Sequence, residues 1–537
     1  MKFKSISFDK LPLSDIFRSY TRQSDLLKPF YQSHPFNDGE VRKRAEEFRF
    51  RGNRDKSVRA LLRFNKQFDA PAVTLGQIEK LKNPASLAVV TGQQLSLYGG
   101  PLFTIYKTIT AVIYARRWEI LLDRPVIPVF WLADEDHDYR EAGEIGLLNN
   151  DSWCSLQLEN GQHNLPVGRE KLGPEFNSLE QKLFELLPES DFTPEIREQL
   201  KTFYREGTTF RDAFARWFLH IFSGQGVVLA GSDDSGIKSL IAEPMIAAAE
   251  HHESFTKHLD EQSARLEENG FHRQALVQNS NIFYLDPEHG RQKLDMKGGQ
   301  WKTRNGVAWS SSELVREIRN RPGFFSPNVF LRPLMQDLLI PTLAYVSGPG
   351  ELSYYAQMKR AYEWMGQDMP MLLPRFSMTL KEPAIERIGK KLPFDFHEYA
   401  RRIEDLETLY LERTGASDIE NLFSSWTAGI EKVTAENMKW IEEIDPTLKA
   451  SADKAGVLAQ KEVSKVKAKT YRAIKKQEKI QLNRIHRIRE NLFPGGELQE
   501  RQVAFIYYLN KYGPDIWDRL GETLKDEIPD SHKIVYL

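Results

Sequence analysis

An unbroken run of eight apolar residues at 126–133 leads directly into five titratable residues at 134–138. The run is rich in β-branched and aromatic side chains and is too short to span a membrane, so it predicts a buried strand of a parallel sheet. In open α/β sheets, ligands bind beyond the carboxyl ends of the strands. The feature therefore predicts an α/β fold that carries charged groups to a ligand-binding crevice. A solvated acidic turn is the simpler alternative.

Four further apolar runs of strand length support this fold class. They lie at 87–91, 226–230, 342–346 and 371–373, and each ends in polar or glycine-rich sequence. The run at 87–91 is followed by a glycine-rich loop, a helical stretch and then the run at 126–133. This order predicts a βαβ unit with a right-handed crossover. Several such strands separated by insertions predict a doubly wound parallel sheet.

The length and the changes in pattern predict several domains rather than one. We expect the core sheet to be assembled from separate pieces of the chain. The predicted plan is an N-terminal helical segment at 1–80, core pieces at 81–150, 223–249 and 331–394, insertions at 151–222 and 250–330, a helical coiled-coil domain at 395–496, and a C-terminal segment at 497–537 that packs back on the core.

Alternating steps of three and four between apolar residues characterise the helical region. Pro446 separates two such segments, so they predict an antiparallel helical hairpin or coiled coil. Many lysines and arginines lie at 461–489 and could bind nucleic acid. The solvated exterior of a coiled coil explains them more simply, because only Tyr471 is interleaved as a stacking residue. The predicted stripes are Leu422, Trp426, Ile430, Val433 and Ile441 before the proline, and Leu448, Ala452, Ala455, Ala459, Val463 and Val466 after it.

The composition restricts the classes of partner and compartment. The 74 basic and 75 acidic residues nearly cancel, so no global field attracts nucleic acid or a membrane surface. The single cysteine, Cys154, excludes an intramolecular disulfide framework and a cysteine-based metal site, which fits a reducing compartment. No stretch has the apolar length of a membrane span, and the start of the sequence lacks the apolar core of a signal peptide. These features predict a soluble cytoplasmic protein.

The acidic cluster supplies the first set of candidate catalytic residues: Glu135, Asp136, His137 and Asp138. Because consecutive residues in a turn cannot all point one way, only two or three can share a site. A histidine close to carboxylates is expected to have a raised pKa, and could act as an acid–base group or help to hold a substrate amine. A divalent-metal site and a structural role for His137 are the alternatives, and the spacing does not select a metal.

A glycine-rich loop before the first long core helix supplies a second set. Gly92 and Gly100 would let the backbone approach a ligand, and the helix that follows would offer N–H groups to an anion. Thr104 and Lys107 lie on one face of its first turns, so both could face a phosphate or carboxylate. The pattern is neither a P-loop nor a dinucleotide fingerprint, and an ordinary Gly-Pro turn is an equal alternative.

The 342–346 strand is followed by a third set, which begins with Ser347 and Gly348. Glu351 would lie in the first turn of the next helix, where an acid is favourable without any function. Arg332 and Arg375 could neutralise an anionic ligand, although each could equally be a structural ion-pair partner.

Eight segments in chain order closely resemble the cysteine-adding enzyme family of bacillithiol biosynthesis. They are TGQQ at 91–94, GPLFTIYK at 100–107, PVFW at 128–131, EDHD at 135–138, RPLMQ at 332–336, IPTLA at 340–344, GPGE at 348–351 and YYLNKYG at 507–513. The resemblance implies a Rossmann-like fold related to class I nucleotidyltransferases and aminoacyl-tRNA synthetases. It also implies connecting-peptide insertions and a coiled coil that makes a homodimer.

The implied reaction joins the carboxyl group of cysteine to the glucosamine amine of glucosaminyl malate, with ATP as the expected energy source and no metal predicted. Residues 135–138 would hold the amine and assist proton removal. The class I motifs His-Ile-Gly-His and Lys-Met-Ser-Lys-Ser are missing from the sequence, so their adenylation chemistry is not carried over. The implied substrate-binding residues are Gln93, Gln94, Ser347, Gly348, Gly350, Glu351, Tyr354 and Arg332, and the implied ATP-binding residues are Gly92, Gly100, Thr104, Lys107 and Arg375.

Two other functions stay open from the sequence. One is a synthetase-like protein that binds RNA or a nucleotide through the basic coiled coil, and the other is a catalytically silent dimeric scaffold. Titratable groups at three separate strand ends favour an enzyme, because a scaffold has no use for them.

Overall fold

The computed structural model describes residues 1–149, 152–159 and 165–537, except for the side chains of 415–419, so the predicted boundary at 150/151 lies outside the described residues. The strands are β1 (Lys2–Ser7), β2 (Leu87–Gln94), β3 (Val126–Ala133), β4 (Glu144–Asn149), β5 (Ser152–Gln157), β6 (Val228–Gly231), β7 (Ile282–Asp286), β8 (Gly290–Lys293), β9 (Asp295–Lys297), β10 (Gln300–Lys302), β11 (Ala308–Trp309), β12 (Phe325–Pro327), β13 (Thr342–Ser347), β14 (Met371–Pro374), β15 (Ser377–Lys381) and β16 (Ser531–Tyr536).

The helices are α1 (Asp15–Thr21), α2 (Asp38–Glu47), α3 (Arg54–Lys66), α4 (Ala72–Lys80), α5 (Leu102–Leu122), α6 (Tyr139–Ala142), α7 (Glu175–Leu186), α8 (Thr193–Phe203), α9 (Phe210–Ile221), α10 (Ser235–Ile241), α11 (Glu243–Glu250), α12 (His252–Glu268), α13 (Ser311–Asn320), α14 (Leu331–Leu339), α15 (Pro349–Tyr355), α16 (Lys359–Trp364), α17 (Pro383–Gly389), α18 (Ile403–Leu411), α19 (Ser417–Ile444), α20 (Lys449–Gln477), α21 (Lys479–Leu492), α22 (Gln499–Gln502), α23 (Phe505–Tyr512) and α24 (Ile516–Leu524).

The chain forms two compact units. The sheet unit contains Met1–Asn149, Trp153–Leu380 and Gln499–Leu537, and the helical unit is formed mainly by Lys381–Leu498. The C-terminal segment therefore folds as part of the sheet unit, where β16 pairs with β1 and β15.

A five-stranded parallel sheet in the order β14-β13-β2-β3-β6 forms the centre of the sheet unit. Its strands are the five predicted from the apolar runs. The chain starts in the middle at β2, moves outward through β3 and β6, and then crosses to β13 and β14 on the other side. This doubly wound arrangement confirms the predicted fold class, and its switch point lies between β2 and β13.

The core explains why the 126–133 run lacks polar alternation. β2 and β3 pair along their whole lengths, from Leu87 opposite Val126 to Gln94 opposite Ala133. Helix α5 packs against both strands, and both are almost entirely buried. Each fully buried aliphatic or aromatic side chain of this kind contributes about 1.5–3 kcal/mol. A strand that is covered on both faces therefore reads as a continuous apolar run.

The N-terminal segment supplies side chains that hold the backbone of both edge strands. The hydroxyl of Tyr20 donates to the carbonyl of Leu372 in β14 at 2.6 Å. At the opposite edge, the buried Asn65 amide donates to the carbonyl of Leu229 in β6 at 2.8 Å, and accepts from its N–H at 3.0 Å. These contacts satisfy backbone groups that an open sheet edge would leave exposed. The segment is helical as predicted, with the additional strand β1.

Small antiparallel sheets lie at the start of the first predicted insertion, where β4 still belongs to the predicted core piece 81–150, and within the second. β4 and β5 form a two-stranded sheet, and the later insertion contributes two three-stranded sheets with the orders β12-β7-β8 and β11-β10-β9. The β7–β8 hairpin is important below because it carries Arg291.

The helical unit contains the predicted antiparallel hairpin, formed by α19 and α20. A Cβ atom added to Gly456 would lie 2.6 Å from Thr434, so the two backbones approach closely at this level. Phe423 and Val463 are buried in the seam between the helices, and Ala452 is half-buried there. Most other residues of the two predicted stripes are exposed, so the predicted seam is only partly right. On α19 the exposed Leu422 is followed directly by the buried Phe423, and periodicity alone does not show which of two adjacent apolar positions faces the partner helix.

Within the described ranges, no helix is both long and apolar enough to cross a membrane.

Candidate functional site

A cleft with a volume of about 540 Å³ opens at the carboxyl edge of the central sheet. Residues that follow β2, β3, β6, β13 and β14 all line it, as the rule for doubly wound sheets predicts. The cleft brings together these predicted residues: Gly92, Gln93, Gln94, Lys107, Glu135, Asp136, Arg332, Gly348, Gly350, Glu351, Tyr354 and Arg375. The predicted residues that are not among its described lining are Gly100, Thr104, His137, Asp138 and Ser347.

The buried ammonium group of Lys107 connects the two strands at the switch point. It lies 2.6 Å from a carboxylate oxygen of Glu351, and it donates to the carbonyl of Gly92 at 2.8 Å and to Gln93 Oε1 at 3.0 Å. Burial lowers the pKa of Lys107, and the Glu351 carboxylate acts in the opposite direction. Lys107 is therefore already paired, and it holds the ends of β2 and β13 in register.

Glu351 caps the short helix α15 as well as pairing with the lysine. The Gly348 N–H donates to its carboxylate at 2.8 Å, and the Tyr345 hydroxyl donates at 2.7 Å. Burial acts to raise the pKa of Glu351, but the attraction of Lys107 and these hydrogen bonds lower it overall. Both of its carboxylate oxygens therefore have donors within the protein.

The acidic segment after β3 divides between the cleft and the protein interior. Glu135 is buried in an ion pair with Lys238, and it also accepts a hydrogen bond from the Ser232 hydroxyl. Lys238 additionally donates to the carbonyl of Phe325 at 2.8 Å. Asp136 lies at the cleft surface and accepts from the Gln94 amide. Of the predicted group, Asp136 is therefore the carboxylate best placed to meet a ligand.

The structure corrects the prediction of a raised pKa for His137. Burial lowers its pKa to about 4, and the positive charges of Arg291 and Arg169 contribute to the shift more than the nearby carboxylates oppose it. The expected raised pKa is therefore wrong, because distant segments bury the ring and add positive charge around it. Asp138 is exposed and caps α6, where it accepts from the Glu141 N–H at 2.9 Å.

Asp134 lies behind the cleft, fully buried under Gly231 and Gly168. Burial and the neighbouring Asp233 and Glu135 raise its pKa well above the ordinary value. A shielded carboxyl group of this kind belongs to the packing of the sheet edge rather than to the ligand surface.

Glu141 is a cleft residue that the sequence analysis missed. It is an exposed residue of α6, and partial desolvation of its carboxyl group together with the charges of Asp138 and Asp136 raises its pKa. It follows the acidic cluster by three residues, so extending the cluster along one helical turn would have found it. Asp136 and Glu141 form no ion pair with a cation in the part of the chain that the structure describes.

The start of α5 does not offer the anion site that was predicted. The N–H of Leu102 donates to the carbonyl of Val503 at 2.9 Å, and Pro101, before it, has no N–H. The carbonyl of Gly100 accepts from the N–H of Phe505 at 3.0 Å. The C-terminal segment therefore covers this helix end, and Thr104 is buried beneath it.

Arg375 is a structural ion-pair partner, which was the alternative to binding an anionic ligand. Its guanidinium lies 2.7 Å from Glu500, and both side chains are buried. Glu500 also accepts from the Ser377 hydroxyl at 2.9 Å and from the Met378 N–H at 2.8 Å. The Ser377 hydroxyl lies 2.8 Å from His532 Nδ1, so the ion pair belongs to a buried polar network.

Arg291 and Arg332 are two of the cations that line the cleft, together with Lys107, Arg375 and Arg501. Arg332 donates to Gln336 Oε1 at 3.0 Å and to the Tyr354 hydroxyl at 3.2 Å. Arg291 reaches the cleft from the β7–β8 hairpin, and it has no motif that would have marked it in the sequence.

A metal ion and nucleic acid were only alternative ligands from the sequence. The described residues contain no group of three or more His, Cys, Asp or Glu side chains placed to hold a metal ion. In the helical unit, Lys467 pairs with Glu420 and Lys475 with Glu407, so part of the basic face is neutralised internally. This pairing fits a solvated coiled coil better than a nucleic-acid surface.

Comparison with known proteins places the chain in a family. The family model for the bacillithiol biosynthesis BshC N-terminal Rossmann-like domain matches residues 1–376, and that for the BshC C-terminal coiled-coil domain matches 378–537. Curated relatives carry the provisional name cysteine ligase BshC. The Salinibacter ruber protein is 35% identical over 534 residues, which cover 97% of this chain and 96% of the relative. The Chlorobaculum tepidum protein is 32% identical over 558 residues, which cover 100% of this chain and 99% of the relative. The chain therefore belongs to the BshC family of bacillithiol biosynthesis.

Proposed function

We propose that this protein is a ligase that forms an amide between the carboxyl group of L-cysteine and the glucosamine amine of glucosaminyl malate, giving bacillithiol. The family and the names of the relatives support cysteine ligation in bacillithiol biosynthesis. A thiol product and a single cysteine fit a reducing cytoplasm, which we propose as the compartment.

The observation that carries the proposal is the pair of cleft carboxylates formed by Asp136 and Glu141. Neither forms an ion pair among the described residues, although the charge of Arg501 acts on Glu141 and that of Arg291 on Asp136, and Gln94 donates to Asp136 from the adjacent strand end. Two carboxylates of this kind would attract a substrate ammonium group into the cleft. The raised pKa of Glu141 suits it to accept a proton from that group.

The bond-forming step needs an uncharged amine and an activated carboxyl group. One ammonium proton passes to Asp136 or Glu141, and the nitrogen then attacks the carbonyl carbon of the activated cysteine. The leaving group departs as the carbon–nitrogen bond forms, and a carboxylate takes up the remaining excess proton. This assignment replaces His137, which is half-buried and whose pKa is lowered to about 4.

ATP is the proposed source of activation, on the strength of the resemblance alone. The residues expected to hold it fit a nucleotide poorly, because Lys107 and Arg375 are already paired with Glu351 and Glu500. The start of α5 is also covered by the carbonyl of Val503. We therefore assign no chemical step to the nucleotide.

The test combines product detection with two substitutions. Purified protein with cysteine, ATP and glucosaminyl malate should give bacillithiol by mass spectrometry. Asp136→Asn and Glu141→Gln should each lower kcat/KM for the amine substrate by roughly 100-fold or more, the usual scale of a lost proton acceptor. The Glu141→Gln variant should also lose the acidic limb of the pH–rate profile.

Glu144→Gln is the matched control. It removes one negative charge three residues after Glu141, at an exposed position outside the described lining of the cleft. Its activity should stay within about twofold of the unsubstituted protein. If no product forms with any activated cysteine, or if the control loses as much activity as Asp136→Asn, the proposal fails.

We also propose a homodimer formed through the α19–α20 hairpin. Leu422, Trp426, Val433 and Trp440 are 61%, 48%, 57% and 63% exposed, and they repeat at heptad-type spacing on one face of α19. Leu422 lies one residue before the buried Phe423, and Val433 lies one residue before Thr434, which faces Gly456 of α20, so the stripe is separate from the internal seam. An apolar stripe of this length on a monomer would face water, whereas a second copy would cover it.

A further inference from the structure

Two arginines in the cleft carry positive charge that the protein does not neutralise. Arg291 and Arg332 both line the cleft, and neither forms an ion pair with a carboxylate among the residues that the structure describes. The other deeply buried cations of the same region are paired. Lys107 has Glu351, Lys238 has Glu135 and Arg375 has Glu500.

Both guanidinium groups are held in place by uncharged neighbours. Arg291 donates to the Ser326 hydroxyl at 3.1 Å and to the carbonyl of Pro327 at 2.9 Å, and it lies 3.7 Å from the centre of the Phe283 ring. An aromatic face and neutral acceptors fix the direction of an arginine without using its charge. These contacts therefore fix the position of the Arg291 guanidinium and leave its charge able to bind an anion.

Arg332 is fixed in the same manner by a different set of residues. It donates to Gln336 and Tyr354, and it lies 5.5 Å from the centre of the Tyr345 ring. Removing a cation from water without a counter-ion is costly, so a protein keeps such groups where a ligand supplies the opposite charge. Two of them in one cleft suit a ligand that carries more than one anionic group.

We propose that Arg291 and Arg332 form a subsite for the two carboxylates of the amine substrate's dicarboxylic acid end. The subsite rests on the proposed function, which supplies an amine substrate that carries malate. Asp136 and Glu135 attract Arg291 without pairing with it, so the acidic and basic parts of the cleft lie near each other. The amine end of the substrate would meet Asp136 and Glu141 while its carboxylates meet the arginines.

The phosphates of a nucleotide are the other anions that these arginines could meet. The dicarboxylate is favoured because a planar guanidinium matches a carboxylate in a bidentate manner, and because the cleft places carboxylates for an amine in the same space. The two sources predict different kinetic effects. Loss of a carboxylate contact raises KM for the amine substrate, whereas loss of a phosphate contact raises KM for ATP.

The experiment compares two amine substrates in steady-state kinetics. Arg291→Gln and Arg332→Gln should each raise KM for glucosaminyl malate by about 10- to 100-fold, the range for one charge-assisted hydrogen-bonding pair. With methyl glucosaminide, which has the amine but no carboxylate, the unsubstituted protein should already be weak and the two variants should change KM by less than about threefold. L-Malate should inhibit the unsubstituted protein competitively and should inhibit the variants much less.

Arg197→Gln is the matched control, because Arg197 also lies over an aromatic ring, 5.0 Å from the centre of Phe184, but on α8 outside the described lining of the cleft. It should leave both KM values unchanged. A rise in KM for ATP alone, or equal losses with both amines, would overturn the subsite while ligation itself continued. Absence of product from the unsubstituted protein with either amine would instead refute the proposed function.

Discussion

Lys107 on α5 and Glu351 on α15 form an ion pair with a separation of 2.6 Å in the wall of the cleft. These helices follow β2 and β13, the two strands that meet at the switch point of the sheet. The pair therefore joins the two halves of the doubly wound fold at the place where the cleft opens. A structural role for both residues explains why neither is free to hold a phosphate group.

Replacing one member of this pair should be more harmful than replacing both. Glu351→Gln leaves the buried lysine without a counter-charge, and Lys107→Met leaves the Glu351 carboxylate without one. Each substitution should lower the free energy of unfolding by about 3–5 kcal/mol. The double variant should recover part of that loss, which urea denaturation in a double-mutant cycle would measure. Strictly additive losses would show that the two residues do not act together.

The backbone at Gly92 should tolerate no side chain. A Cβ atom there would lie 2.7 Å from the carbonyl oxygen of Trp131 and 2.9 Å from its Cβ, both in the adjacent strand. Gly92→Ala should therefore displace the end of β2, lower the free energy of unfolding by about 1–3 kcal/mol and reduce ligase activity. Gly76→Ala, on α4 with nothing within 4 Å of the added atom, is the control and should be neutral or slightly stabilising.

The buried His532 should make stability depend on pH in the mildly acidic range. Burial lowers its pKa to about 4, although Glu500 acts to raise it. Between about pH 6.5 and 4 the unfolded chain therefore binds a proton that the folded chain does not, so stability falls as the pH falls. A shift of this size corresponds to roughly 3 kcal/mol.

Comparison of two variants isolates this effect from other titrations. The stability advantage of the unsubstituted protein over His532→Gln should shrink as the pH is lowered through that window. His272→Gln, at an exposed histidine, should leave the pH profile of unfolding unchanged. An advantage over His532→Gln that stays constant with pH would show that the ring titrates normally.

The sheet could be predicted from the sequence because burial on both faces leaves a local signature. The run at 126–133 is apolar throughout, and it forms β3 between β2 and β6. The glycine and acidic segments at the strand ends were found for the same reason, since each directly follows such a run. Fold class and the position of the cleft thus follow from patterns that lie within a few residues of each other.

The chemistry of single residues could not be predicted because it depends on segments far apart in the chain. The pKa of His137 is set by burial and by Arg291 and Arg169, which come from other parts of the fold. The start of α5 looked open in sequence, but residues near Val503 cover it. Arg291 has no pattern around it, and only the folded β7–β8 hairpin brings it to the cleft.

The proposed homodimer gives the last prediction, which concerns the exposed stripe on α19. Sedimentation should give a mass of twice the 62.1 kDa chain for the unsubstituted protein. Trp426→Glu or Trp440→Glu places a charge in the stripe and should weaken association by about 100-fold or more, because that charge would be buried without a partner. Ala435→Glu adds the same charge on the other side of α19, at an exposed position, and should leave the dimer intact. Equal dissociation by all three substitutions, or a monomeric unsubstituted protein, would exclude this stripe as the interface.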